Sequence, residues 1–507
     1  MGTVPGERVA PGLDSNGLAE RRDLPRGFVP SCSMRLIRRF AFIPLALVLV
    51  LAVAPASAAD VKSLGARGDG QADDTAAIQK AVDAGGTVSF PTGSYRLTRT
   101  VTIDLDQTGF VVLSGDATAR ILMAGAGPAF QFIGTHGGSA APAQFKPNVW
   151  ERQRSPGVTG LEIVGAHPEA DGIAARGTMQ LTLRSIVVRE ARHAIRLHDR
   201  NRNVLISDVH LYHNRGIGVF YDAVDLHQSN ITGSHISYNA GGGIVVRGGN
   251  VRNLHIGNCD IESNMEPGSP ATANVLVDSA DGSVGEVAIT GCTIQHNNPS
   301  PDSANIRILG AGITSRTNRA PTNEGHVTIT GNVLSDVQVN VHLRHVRGVT
   351  VTGNTFWMGF AHDLLVEDSS HVVVGPNAFD RNPRYEYTRT SARGGIAFRG
   401  SRDCTLTGLH VSGVRHHEAA IVLEDCTRFN ATGGSVLDSD GVGLRLRNTS
   451  LTRVSDWLIR DDRAANSAPS LQVVGGRGNS VTQNTLDRAP EIAPAAALAR
   501  DNDIVAK

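Results

Sequence analysis

Along most of this chain, apolar and polar residues alternate in short bursts, and each burst closes on Gly, Asn or Asp. The phrases VTGLEIVG (158–165), NVLISDVHLYHN (203–214), SNITGSHISYN (229–239), NLHIGNCDIESN (253–264) and EVAITGCTIQHN (286–297) fall into one alignment. HVTITGNVLSDV (326–337), GVTVTGNTFWMG (348–359), HVVVGPNAFDRN (371–382), CTLTGLHVSGV (404–414) and FNATGGSVLDSD (429–440) continue it. Alternation with period two predicts short strands with one buried face, whereas a helix would place apolar residues three and four apart. The phrase returns about every 21–25 residues, and longer steps coincide with insertions at 132–157, 265–273, 297–303 and 310–324.

A period of this size with no helix in the unit predicts a solenoid of stacked coils. Leucine-rich repeats have a similar period, but their fixed Leu and Asn framework is missing. The expected fold is therefore all-β: a single-stranded right-handed parallel β-helix, with coils about 4.8 Å apart and inward Val, Ile and Leu forming one continuous core. Stacking predicts columns of like residues. Asn214, Asn239, Asn264 and Asn297 are expected to form one ladder of mutually hydrogen-bonded amides. Cys259 and Cys292 fall at one position of neighbouring coils, where parallel stacking favours two buried thiols over a disulfide.

The N-terminus departs from this pattern. Met34-Arg-Leu-Ile-Arg-Arg leads into the apolar run 40–54 and then Pro55-Ala-Ser-Ala58, a basic, apolar and small-residue series that reads as a secretory signal. The run is short for a membrane span, which takes about 20 apolar residues. The expected organisation is a 1–33 upstream extension with Met34 as the true start, a 34–58 signal peptide, a 59–490 β-helix and a 491–507 C-terminal tail or cap. Removing the seven basic and four acidic side chains of 1–58 from 48 of each leaves 41 and 44. Near neutrality argues against nucleic acid as the main partner.

The segment DVKSLGARGDGQADDTAAIQKAVDAGGTVSFPTGSYRLTRTVTI, Asp60 to Ile103, resembles the N-terminal signature of the pectate lyase superfamily, of the rhamnogalacturonase and epimerase kind. The resemblance implies a right-handed β-helix and a carbohydrate substrate, met in a groove walled by inserted loops. Read physically, Asp73, Asp74 and Thr75 are N-cap candidates for a short capping helix from about Thr75 to Ala84, with Ile78, Ala81 and Val82 on its apolar face. The aspartates lack the alternation of a calcium hand, and no Gly-Lys-Ser or Gly-Lys-Thr phosphate loop follows them. Glu169-Ala-Asp171-Gly-Ile only loosely resembles the Asn-Thr-Asp segment of polygalacturonases, and Arg307-Ile-Leu309 only part of their Arg-Ile-Lys. Their paired Asp-Asp and Gly-His-Gly are absent, as are the aspartate pattern of calcium-dependent pectate lyases and the Asp-Pro-His of mannuronan epimerases. No cofactor is identified, and calcium is compatible with the family but unsupported by any motif.

Outward positions between about 180 and 310 concentrate acid, base and cation. One row is expected to read Val187, His210, His235, Asp260 and Thr293, and the next Arg189, Tyr212, Ser237, Glu262 and Gln295. On the following strand the expected rows are Arg196, Gly218, Val245, Leu276 and Arg307, then His198, Phe220, Arg247, Asp278 and Leu309. GVFYDAVDLHQ adds Tyr221, Asp222, Asp225 and His227 beside them. A lyase acting on a uronate needs a cation at the sugar carboxylate and a base for the acidified proton. Arg247 or Arg307, with Arg189, Asp222, Asp225 and Asp278 as further substrate contacts, suits the first, and His210, His235 or Tyr212 the second.

A hydrolase needs paired carboxylates instead. Asp260 and Glu262 lie two apart on one strand, so their Cα atoms should be about 6.6 Å apart, compatible with inversion. NCDIESN (258–264) is similar to a segment of carbohydrate-active β-helices, which makes Glu262 the leading carboxylate. His416-His417-Glu418 reads as a surface turn without a third metal ligand. The expected function is cleavage of a uronic-acid-containing polysaccharide by β-elimination. The alternatives are glycoside hydrolysis on the same fold and a noncatalytic carbohydrate-binding or cell-surface β-helix.

Overall fold

The computed structural model describes residues 58–137, 144–270, 272–310, 324–385, 391–463 and 466–506. The expected 1–33 extension, the signal segment up to residue 57 and residues 311–323 of the fourth insertion lie outside them.

Strands stack on the equivalent strand one coil later. Ile195–Ser207 lies against Ile217–Thr232, which lies against Gly242–Gly257 and then Ala273–Thr290, and every pairing among the described residues is parallel. The chain is thus the expected right-handed β-helix. Its coils turn at single residues: within one coil Ala223, Gln228 and Tyr238 take φ of 45°, 70° and 55°. Outside Gly, such left-handed backbone is borne best by Asn, Asp and His. At the closing turn of the bursts the left-handed residue is His213, Tyr238, Ser263 or His296, one position before the asparagine. Between corners the side chains alternate, and Val219, Tyr221, Val224, Leu226, Ile231 and Ile236 all point inward with at most 2% exposure. Each such aliphatic side chain contributes roughly 1.5–3 kcal/mol on burial. Tyr221, expected on the outer face, is one of these core residues, its hydroxyl 2.8 Å from Ser229 Oγ.

The amide column is longer than the sequence suggested and takes a different path. Side-chain Nδ2 donates to Oδ1 from Asn214 to Asn239 (2.8 Å), Asn239 to Asn264 (2.7 Å), Asn264 to Asn274 (2.9 Å), Asn274 to Asn305 (2.8 Å), Asn305 to Asn340 (2.8 Å) and Asn340 to Asp363 (2.9 Å). Asn297 is not in it. The insertion after Asn264 delivers Asn274 to that position, and Asn297 donates to the Met265 carbonyl instead (2.7 Å). Cys259, Cys292, Cys404 and Cys426 are free, buried thiols.

The first coil is closed by the helix Thr75–Asp83, with Ile78, Ala81 and Val82 fully buried. The two aspartates divide the work. Asp73 Oδ1 accepts from Thr75 N (3.1 Å), while the N-cap residue Asp74 turns its carboxylate back to Arg67 N (2.6 Å) and Gly68 N (3.1 Å). At the other end residues 491–506 form a final short-stranded coil: Ala497–Arg500 and Asp503–Ile504 pair in parallel with Asn479–Thr482 and Thr485–Leu486.

Candidate active site

Three-residue strands form the face on which the candidates gather. His210–Tyr212, His235–Ser237, Asp260–Glu262 and Thr293–Gln295 pair in succession, so both expected rows on this face are in register. The central residue of each strand, such as Ile236 or Ile261, is buried, and the flanking ones face out. The rings of His210 and His235 meet edge to face with centroids 5.0 Å apart. One coil further, Asp260 and Glu262 share the outer side of their strand.

Glu262 is supported from the next coil. Its Oε2 accepts from Gln295 Nε2 (3.3 Å) and lies 3.8 Å from His296 Nε2. The other nitrogen of that imidazole, Nδ1, lies 3.8 Å from Asp336 Oδ2, which also accepts from Ser335 Oγ (2.8 Å). His296 therefore bridges two carboxylates, with Asp260 beside them. Burial, reinforced by the neighbouring charge of Glu262, raises the Asp260 carboxyl above its ordinary range. Such an acid keeps its proton to higher pH than a solvated aspartate.

His296 and Asp336 are absent from the sequence-derived set because both are corner residues, with φ of 61° and 59°. His213 and Tyr238 occupy the same corner in earlier coils, with rings stacked at 5.1 Å and 11°. The alignment carries a signal for them. Each asparagine of the aligned column, Asn214, Asn239, Asn264 and Asn297, is preceded by His213, Tyr238, Ser263 or His296, a column as regular as the strands.

The expected substrate contacts do not converge on this cluster. Arg189 is on the face, but its Nε is 2.8 Å from Glu162 Oε1. On the following strand the expected register is two residues out for one coil. Phe220, not Gly218, pairs between Arg196 and Val245, and Asp222, not Phe220, pairs between His198 and Arg247. Asp222 accepts from Arg196 Nε (2.8 Å). Arg247 is exposed, its guanidinium 5.9 Å from the Phe220 ring centroid, with Asp278 next to it in register. Asp225 lies past the Ala223 corner, 3.2 Å from Arg200.

Arg307 is 7% exposed. Its guanidinium donates to the carbonyls of Thr272 (3.1 Å) and Asp302 (2.5 Å), and its Nε lies 3.1 Å from His342 Nδ1. It ties the second and third insertions to the barrel instead of presenting a free cation. Asp171 is also engaged, bound through both oxygens to Arg192 (2.8 and 2.6 Å) and accepting from His193 N (3.1 Å). Of the expected surface turn at His416-His417-Glu418, His416 is at a left-handed corner. His417 instead points inward, its Nε2 2.8 Å from the Ala361 carbonyl.

Residues 58–155 match the family model described as rhamnogalacturonase A/epimerase, pectate lyase-like. Residues 170–324 match the right handed beta helix region, and 285–492 the periplasmic copper-binding protein NosD. No curated protein matches the chain. Among solved structures the chain is similar to the A-module of the Azotobacter vinelandii mannuronan C-5 epimerase AlgE4, at 16% identity over 88% of this chain and 99% of that one (TM-score 0.38). It is also similar to the Dettilon tailspike protein, at 14% identity over 86% and 68% (TM-score 0.45). PfbA, a surface adhesin of Streptococcus pneumoniae, shares 17% identity over 84% and 90% (TM-score 0.35). With the stacked parallel coils and the right handed beta helix match in agreement, the chain is a right-handed parallel β-helix whose residues 58–155 are similar to the rhamnogalacturonase A/epimerase, pectate lyase-like family.

Proposed function

We propose that the protein is an exported glycoside hydrolase acting on a pectin-like, uronic-acid-containing polysaccharide, with Asp260 as general acid and Glu262 as general base. One observation carries this reading: two carboxylates share one outward strand, one raised by burial and by its neighbour, the other bonded to Gln295 and close to His296. A carboxyl that keeps its proton to higher pH, set beside a second carboxylate on the same face, is the pairing that acid and base roles require. His296 and Asp336 position Glu262. His213 and Tyr238 offer a ring surface to a sugar lying along the helix axis, and the substrate class follows the family description of residues 58–155.

β-Elimination, which His210, His235 and Tyr212 suggest from sequence, has less support, because Arg307 is engaged with main-chain carbonyls and Arg247 faces Phe220 on the adjacent strand. The copper named for NosD finds no donor set here. Among the described residues no three His, Cys, Asp or Glu side chains are placed to hold one metal ion, and His296 directs its two nitrogens to opposite carboxylates. Export rests on the 34–58 segment, and a mature N-terminus near Ala59 tests it. No helix among the described residues is long and apolar enough to cross a membrane.

The activity is tested by incubating the protein with pectin, polygalacturonate, rhamnogalacturonan and alginate while following reducing ends and the ultraviolet absorbance of unsaturated uronates. New ends without absorbance are expected. Absorbance with new ends assigns β-elimination, and neither signal on any of the four overturns the proposal.

A further inference from the structure

A second concave surface lies away from the carboxylates, around the preceding corner of the coil. There a groove of about 550 Å³ runs across successive coils, floored by Leu205 and lined by amides that include Gln180, Asn203, Gln228 and Asn253. Its volume is within the range of roughly 300–1,000 Å³ typical of small-ligand sites. Among the described residues no Lys, Arg, Asp or Glu lines it.

The amides are arranged by the fold. Gln180, Asn203, Gln228 and Asn253 are left-handed corner residues with φ of 59°, 54°, 70° and 56°. They stack at the coil spacing of about 4.8 Å. On the adjoining strand Leu205, Asn230 and His255 pair in register, giving a second row of one apolar and two polar side chains. Leu205 is 47% exposed. Among the described residues only the ends of the corner row are engaged by side chains: Ser155 Oγ donates to Gln180 Oε1 (3.1 Å), and Asn253 Nδ2 to Glu286 Oε2 (2.7 Å). Between them, Gln228, Asn230 and His255 make no side-chain hydrogen bond to any described residue, and the Asn203 Oδ1 is shielded from solvent without a partner. Turning that amide toward a ligand hydroxyl satisfies it.

Amides both donate and accept, as sugar hydroxyls do, and an exposed leucine suits the C–H face of a pyranose. A carboxylate or phosphate entering this groove would lose water without meeting a cation. We infer that the groove binds an uncharged glycan, hexose or deoxyhexose units of a chain lying along the helix axis, separately from the carboxylate face. A substrate with both neutral and acidic stretches would engage both surfaces.

The test is retention of the full chain on an array of neutral hexose and deoxyhexose oligosaccharides beside oligogalacturonates. At least one neutral glycan is expected to be retained. Gln228→Glu and Asn230→Asp keep shape but introduce charge at exposed positions, and each should weaken retention about tenfold or more, the equivalent of one lost hydrogen-bonded pair. Their circular dichroism and thermal midpoint verify folding. Glu262→Gln should be retained like the parent chain. Retention of no neutral glycan, of oligogalacturonates alone, or retention insensitive to Gln228→Glu overturns the inference. Because Glu262→Gln reads only the carboxylates and Gln228→Glu only the groove, failure of one proposal is distinguishable from failure of the other.

Discussion

Asp260 and Glu367 are both outward, half-buried carboxylates on strands of the same helix, and their acidities move in opposite directions. Burial raises both. At Glu367 the hydrogen bond from His342 (3.0 Å), with the charges of Arg399 and Arg344, outweighs burial and brings the carboxyl below its ordinary range. At Asp260 the next influence is Glu262, which adds to burial. The neighbourhoods explain the difference. Glu367 begins a row in which charges alternate coil by coil: Arg399 is 3.5 Å from Glu367 and 3.6 Å from Glu424, and Arg447 is 2.9 Å from Glu424. Glu262 and Asp336 instead flank one imidazole, with Asp260 beside Glu262 on the same strand. A row that neutralises itself braces the scaffold, whereas a cluster left in conflict costs stability and is poised to exchange protons.

The comparison breaks or sharpens most decisively on turnover. Glu262→Gln should lower kcat by about 10²–10⁴-fold, the usual contribution of a general acid or base. Glu424→Gln should leave it nearly unchanged, both read as reducing ends released from the active polysaccharide. Equal losses would erase the distinction between the two regions.

Asp260→Asn should also depress turnover while raising the thermal midpoint at pH 7. The folded pKa of Asp260 is raised, so its contribution to stability is fully present in acid and is lost as pH rises through that value. Removing the charge therefore stabilises the fold only on the alkaline side, and the gain should vanish below the unfolded carboxylate range. The same ionisation predicts an alkaline limb in the rate profile.

Glu367→Gln has the reverse sign. Its depressed pKa means stability is present above the unfolded value and lost as pH falls through the folded one. The variant should lose about 1 kcal/mol or less at neutral pH, measured by denaturant unfolding, and nothing in strong acid. The smallest effect is ionic: about 1 M salt should shrink that penalty by a few tenths of a kcal/mol, with no comparable change for Asp260→Asn.

The row from Val187 to Thr293 is legible because the strands are short and each runs directly into a corner, with an aligned asparagine after it from Asn214 to Asn297 that fixes its phase. The next strand was misread at Gly218 and Phe220. The expected step from Arg196 to Gly218 is 22 residues and the paired step, Arg196 to Phe220, is 24; a two-residue error keeps every side chain on the same face, so the in-out pattern carries no mark of it. Arg307 looked like a free cation because its partners are main-chain carbonyls of loops, which no side-chain pattern reports. Asn297 aligned with the ladder yet ceded its place to Asn274, since an insertion can bring an amide in from the opposite side.

The sequence by itself determined the β-helix, its period, its capping helix and the face rich in acid and imidazole. Each of these follows from rules that act over a few residues: alternation on a strand, left-handed corners, helix capping. Only the tertiary structure decided which charges are neutralised and which are left opposed. Glu262, His296 and Asp336 come from three successive coils, and Arg307 from beneath two loops, so their electrostatic partners exist only once the coils are stacked.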